Sequence, residues 1–148
     1  MPNSIVIKPV KTVSEPILKR LLSIEHACFS DPWSEAMFVV SEMEGIIIAE
    51  AGDETVGFAC FQYFLDEYHI LNVAVLPGYR KQGIGRQLMG WMLNHLEDTR
   101  DFYLEVREGN NAAISLYEDM GFRVIGERKE YYRDKETALV MHKGKKQK

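Results

Sequence analysis

Apolar and polar positions alternate along this chain in short blocks, and turn residues divide the blocks. Residues 5–10, Ile-Val-Ile-Lys-Pro-Val, read as a first strand. Ser14-Glu15-Pro16 has cap chemistry with proline in the first turn, and Leu18, Leu21, Leu22, Ile24 and Ala27 then supply the broad apolar face of a helix. Ser30-Asp31-Pro32 breaks the chain, and Ser34 can cap a second, short helix over 34–42. The β-branched run 45–51 turns back at Gly52-Asp53-Glu54 into 55–65, which predicts a hairpin, with another turn at Asp66-Glu67. A strand over 70–75 follows, then a glycine loop, then the helical spacing of Leu88, Trp91, Met92 and Leu96. Residues 102–106 read as a fifth strand. A helix over 111–120 is closed by Gly121, and strands over 122–132 and 137–142 are joined by Arg133-Asp134-Lys135-Glu136.

Antiparallel strands come first, then one βαβ crossover, then a closing hairpin. That order predicts an α/β fold built on a mixed, mostly antiparallel twisted sheet of about seven strands with helices on both faces. The length, 148 residues, suits one domain over 1–148 with a real core. The hydrophobic share of 46% and charged share of 27% are those of a soluble globular protein. No apolar run approaches the roughly 20 residues that span a bilayer. Met1-Pro2-Asn3-Ser4 shows no basic stretch ahead of an apolar core, so no secretory signal is expected and cytoplasm is the expected compartment. A net charge of −4 argues against sequence-independent nucleic-acid binding, and the basic end, residues 143–148, reads as a solvated, disordered tail. Cys28 and Cys60 are expected to be reduced, and His26, His69, His95 and His142 show no metal-ligand spacing, so no metal is expected.

The stretch Arg80-Lys81-Gln82-Gly83-Ile84-Gly85-Arg86 carries the most chemistry. It lies between a strand and a helix, where a helix N-terminus and bare glycine amides favour phosphate. Three glycine-loop designs compete. A nucleotide triphosphatase loop needs Lys-Ser/Thr directly after its second glycine, where Arg86-Gln87 stand here. A dinucleotide loop needs a third glycine where Leu88 stands, although Glu105 lies at the spacing of a ribose-binding acid. The third design, Arg/Gln-x-x-Gly-x-Gly/Ala, fits Arg80 to Gly85.

This third design resembles the coenzyme A loop of the GNAT family of N-acetyltransferases, and the acetyl transfer to an amine that the resemblance implies needs a base for the amine, a donor for the oxyanion and an acid for the departing thiolate. Glu105, near the end of the fifth strand and on the face shared with Tyr103, is a candidate base, or else a solvated strand-end residue. Tyr117, on the helix face of Ala113, Leu116 and Met120, is a candidate acid, or else a packed core tyrosine. Asn110 can cap its helix and also meet a cofactor.

The loop resembles the coenzyme A pyrophosphate loop of the GNAT family of N-acetyltransferases. The run from Leu104-Glu105-Val106-Arg107 through Asn110, Ala113, Leu116-Tyr117 and Gly121-Phe122 is similar to the signature of its RimI-type members, which modify the N-terminal alanine of a small-subunit ribosomal protein. Asp31-Pro32-Trp33-Ser34, Asn72-Val73-Ala74-Val75 and Tyr131-Tyr132 also match that group. Arg133 departs from it, since proline often follows the tyrosine pair. The resemblance implies the GNAT fold and acetyl-CoA as cosubstrate. It implies Glu105 as proton acceptor and Tyr117 as proton donor. It implies Val73, Ala74 and Val75 on the acetyl and pantetheine portion, Lys81, Gln82, Gly83, Ile84, Gly85 and Arg86 on the pyrophosphate, and Asn110 on the cofactor. Trp33, Tyr131 and Tyr132 would wall the peptide side. Neither cysteine is expected near this site, which favours direct attack by the amine over an acetylated enzyme. Two other readings stay open: an acetyltransferase for lysine, polyamine or another small amine, and a non-catalytic coenzyme A or nucleotide sensor.

Overall fold

A computed structural model describes residues 4–29, 32, 45–96 and 100–145. In chain order its elements are β1 (Ile5–Val10), α1 (Glu15–Cys28), β2 (Gly45–Ala51), β3 (Glu54–Phe64), β4 (Glu67–Val75), α2 (Ile84–His95), β5 (Asp101–Arg107), α3 (Asn111–Asp119), β6 (Arg123–Arg128) and β7 (Ala138–Lys143). The strands form one seven-stranded sheet in the order β1-β2-β3-β4-β5-β7-β6. Every neighbouring pair is antiparallel except β4 with β5. The expected fold class and strand count hold. The short helix expected over 34–42 lies outside the described residues.

Period-two alternation divides the core between the two faces. In β2, Ile46 and Ile48 join Leu21 and Ile24 under α1, while Ile47 and Ala49 join Leu88 and Met92 under α2. Ser14 caps α1 by accepting from Ile17 N at 3.4 Å. The buried stripe of α1 is Leu21, Ile24 and, at its end, the carboxylate residue Glu25. Ala27, expected on that stripe, is exposed.

Two boundaries differ from expectation. The tyrosine pair does not belong to a strand: β6 ends at Arg128, and Glu130 turns the chain at a φ of 50°. Tyr131 and Tyr132 therefore sit in the β6–β7 connection, which closes on itself through Lys135 N donating to Tyr132 O at 2.8 Å. At the other end of that hairpin β7 takes in Lys143, and Lys145 N donates to Asp101 at 3.1 Å, so the basic end is joined to the sheet that far. Residues 146–148 lie outside the described part.

One irregularity shapes the middle of the sheet. Cys60 pairs with Asn72 but Phe61 pairs with Ile70, so Leu71 is an extra residue in β4. Such a bulge bends its strand and breaks the ladder locally. The parallel β4–β5 pairing stops at Ile70↔Leu104, although β4 continues to Val75 and β5 to Arg107. Past that point the two strands part, and main-chain groups of both face an opening.

Candidate active site

The opening between β4 and β5 holds a cavity of about 180 Å³. Glu25 and Phe29 close it from α1, residues 70–73 from β4, residues 104–107 from β5, with Asn110, Tyr117 and Tyr132 completing the wall. Glu105, Tyr117, Val73, Asn110 and Tyr132, distant in sequence, thus meet at one cavity.

Glu105 is the first β5 residue past the last β4–β5 pair. Its carboxylate meets Arg128 Nε at 2.5 Å and accepts from the Tyr131 hydroxyl at 3.3 Å. Tyr117 lies on α3 with only 8% of its surface exposed, its ring edge-on to Phe122 at 6.2 Å between centroids. Burial pushes its phenol up to about 12, with the neighbouring Tyr132 adding to the effect. At neutral pH Tyr117 carries its proton, as an acid must. Burial, then the charge of Glu105, likewise push Tyr132 up to about 12.

The β6–β7 connection is clamped over the cavity by Arg107. Its guanidinium lies 4.0 Å from the centre of the Tyr132 ring and meets both Asp134 and Glu136 at 2.9 Å. Glu136 also accepts from Gly109 N at 2.9 Å. Tyr131 packs edge-on against Tyr132 at 5.2 Å and is half exposed. Asn110 caps α3, its Oδ1 accepting from Ala113 N at 3.2 Å, and also lines the cavity. Trp33 lies outside the described residues.

The glycine loop stands between the end of β4 and α2. Lys81 and Gly83 take positive φ, 63° and 80°, which brings the chain into α2 with Gly83 as its N-cap residue. No side chain caps this helix, and the first four N–H groups of any helix lack intrahelical acceptors. A Cβ placed on Gly83 meets no atom within 4 Å, so the space above the loop is open to a ligand. At Gly85 a Cβ would come 3.3 Å from Leu116, which explains a small residue where α2 passes α3. Arg86 is paired with Asp119 at 3.0 Å, and Gln82 reaches Gly78 O at 3.5 Å. Lys81 is exposed. The loop, with its open helix N-terminus, therefore fits a diphosphate. Arg80 is turned away, donating through Nε to Val75 O at 3.0 Å. Ala74 buries its methyl group under α1, and neither it nor Val75 lines the cavity, which takes only residues 70–73 from β4.

Sequence reasoning missed three residues here. Cys28 is at the site after all: its Sγ donates to Val75 O at 3.3 Å, because the last turn of α1 lies across the end of β4. Burial, opposed by the hydrogen bond and charge of Arg80, holds its thiol above the ordinary value. Arg128 pairs with the candidate base from β6. Glu25, 1% exposed, accepts from Asn72 Nδ2 at 2.7 Å. Its signal was present in the sequence: Glu25 follows Leu18, Leu21 and Leu22 at helical spacing, a charge on an apolar stripe. Among the described residues no cluster of His, Cys, Asp and Glu could hold a metal ion, and no helix is long and apolar enough to cross a membrane.

Known proteins resemble this chain in sequence and in fold. Residues 18–122 match the sequence model of the Acetyltransferase (GNAT) family. The chain is 35% identical over 140 residues to the [ribosomal protein bS18]-alanine N-acetyltransferase of Salmonella typhimurium, covering 89% of this chain and 94% of that protein. It is 36% identical over 126 residues to the Escherichia coli K12 enzyme of the same name, covering 80% and 84%. The crystal structure of the ribosomal-protein-S18-alanine N-acetyltransferase from Escherichia coli superposes with a TM-score of 0.87 at 32% identity, covering 98% of this chain and 96% of that one.

Proposed function

The chain belongs to the GNAT family of acetyltransferases, and from that premise we propose that it moves the acetyl group of acetyl-CoA onto the N-terminal α-amine of a protein, the alanine of ribosomal protein bS18, in the cytoplasm. The observation that carries this reading is the shared cavity. A carboxylate and a buried, protonated phenol line one opening, and the strand β4 on its other wall leads to an uncapped helix N-terminus. Relatives at 35% and 36% identity, matched over most of their length, act on the bS18 alanine.

In this mechanism acetyl-CoA, when bound, supplies an acyl group activated as a thioester. The N–H groups at residues 81–86 hold its diphosphate, with Lys81 and Arg86 adding positive charge. The main chain of Val73, Ala74 and Val75 holds the arm that reaches the opening, beside Asn110. Glu105 takes a proton from the substrate ammonium. An α-amine has a pKa of about 7.7–8.0, so freeing it near pH 7 costs only about 1 kcal/mol. Tyr117 holds the proton that the departing sulfur needs. Tyr131 and Tyr132, clamped by Arg107, wall the side on which the peptide enters, and Trp33 belongs to the same wall. Attack is direct, since the nearest thiol, Cys28, is held protonated and hydrogen-bonded.

The test is mass spectrometry of a peptide panel with acetyl-CoA. The panel holds the bS18 N-terminus, the same peptide with a blocked N-terminus and a peptide whose only amine is an internal lysine. Acetylation of the first alone is the expected result, and acetylation of the lysine alone would reject the assignment in favour of a side-chain amine substrate. Glu105→Gln should lose most turnover while acetyl-CoA affinity stays within about twofold, since Glu105 contributes to proton transfer and not to cofactor binding.

A further inference from the structure

The mechanism above leaves the Glu25–Asn72 pair unused, yet both residues line the cavity. A carboxylate 1% exposed is costly unless polar groups meet it, and Asn72 Nδ2 does so at 2.7 Å. The bulge brings the two together. Ile70 and Asn72 would share a face in a regular strand. Because Leu71 is an extra residue, Ile70 packs in the cluster beneath α2, while Asn72 stands opposite Cys60, a member of the cluster beneath α1.

A primary amide can lie two ways round, and its neighbours decide which. A carboxylate only accepts, so the Asn72 nitrogen must face Glu25 and the carbonyl Oδ1 becomes the end left for a ligand. Glu25 itself exposes almost no surface to a substrate; Asn72, half buried, is the member of the pair that does.

We propose that Glu25 and Asn72 form an amine-positioning pair, in which Glu25 fixes the amide and Asn72 Oδ1 accepts one N–H of the substrate amine from the β4 wall while Glu105 acts from the β5 wall. This rests on the amine-acetylating reading given above. An amine that gives one proton to a base keeps two N–H bonds, and its lone pair can swing until a second acceptor holds one of them. Acceptors on opposite walls fix that direction, and errors of about 1 Å in such geometry cost up to about a hundredfold in rate. Asn72 is thus a substrate-positioning residue, and Glu25 acts through it.

The experiment compares wild type, Asn72→Ala, Glu25→Gln and the double variant on two peptides, one starting with alanine and one with N-methylalanine, which has one N–H fewer. Asn72→Ala should lower kcat/KM for the alanine peptide about tenfold, and should shrink the preference for the primary over the secondary amine by a similar factor. Acetyl-CoA affinity should not move. Glu25→Gln replaces an acceptor-only partner with one that also donates, so the amide can turn over and part of the same loss appears. The double variant should be no worse than Asn72→Ala alone, because Glu25 reaches the substrate amine through Asn72. The preference ratio does not depend on how much enzyme is folded, so it stands even if a variant melts early. Asn72→Ala with the wild-type preference, or losses that add in the double variant, would overturn the inference and leave the function intact. A wild-type enzyme that acetylates no N-terminal amine would overturn both.

Discussion

Removing one oxygen, by Tyr117→Phe, tests the proposed acid apart from everything else at the site. The ring is 8% exposed and packs edge-on against Phe122, contacts that phenylalanine keeps. No cavity is created, so the stability change should stay within about 1 kcal/mol, the range of a single hydrogen-bonding group. The rate effect should be much larger. A positioned general acid contributes about 10²–10⁴-fold, which is about 3–5 kcal/mol of barrier at about 1.36 kcal/mol per tenfold. The assay follows thiol release from acetyl-CoA with an alanine-terminated peptide, alongside acetyl-CoA affinity and melting temperature. The expected result is a kcat lower by at least about a hundredfold, with affinity unmoved and melting shifted by no more than a few degrees. The pH dependence gives a second check. Burial raises the phenol to about 12, so the proton stays on Tyr117 as pH rises, and the wild-type rate should show no falling limb assignable to it below about pH 10. A variant with wild-type kcat, or a falling limb near pH 9 that disappears in Tyr117→Phe, would refute the assignment.

Gly83→Val places a β-branched residue at a φ of 80°, a strain of about 1–2 kcal/mol. The added side chain also stands over the open face of the loop, so acetyl-CoA affinity measured by calorimetry should fall by more than about tenfold; unchanged affinity would remove the loop from the cofactor site. Cys28→Ala should keep turnover within about twofold, and intact-mass analysis after mixing wild type with acetyl-CoA alone should find no acetylated protein. An acetyl group on Cys28 would reject direct attack. The hydrogen bond from His142 at 2.9 Å holds the Asp101 carboxyl below its ordinary value. A depressed carboxylate stabilises the fold above its unfolded pKa, and that contribution fades as pH falls through the folded value. His142→Phe should therefore melt lower than wild type between pH 5 and 7, and the gap should close as pH falls below the ordinary carboxylate range. A gap independent of pH would assign the loss to ring packing against Tyr103 instead.

The order of elements along the chain was legible because its signals are local. A β-branched run marks β2, a serine cap and a first-turn proline mark α1, and Gly121 closes α3. What stayed hidden depends on contacts between elements. The run 122–132 reads as one strand, but it leaves the sheet at Glu130, where Arg107 on β5 draws Tyr132 and Glu136 over the cavity. The β3–β4 turn falls on Leu65 and Asp66 at φ 51° and 64°, one residue earlier than the expected Asp66-Glu67. Tyr63 and Arg100 bind Asp66 there, at 2.9 and 3.0 Å. No pattern within residues 63–67 announces an arginine that precedes the neighbouring strand β5.

The site divides in the same way. Lys81 to Arg86, Glu105 and Tyr117 could be proposed because the motifs that carry the family resemblance are linear. Glu25 and Cys28 could not be placed without knowing which turn of α1 crosses β4. The bulge at Leu71 connects these facts. A regular β4 would keep pairing β5 past Leu104, leave no opening for Glu105 and Tyr117 to share, and point Asn72 away from Glu25. One extra residue parts the strands and turns the asparagine over at the same position, so the cavity and the polar group facing Glu25 have a common origin. Leu71 is itself exposed. Its importance therefore lies in the backbone it contributes, and substitution of its side chain should matter far less than its deletion.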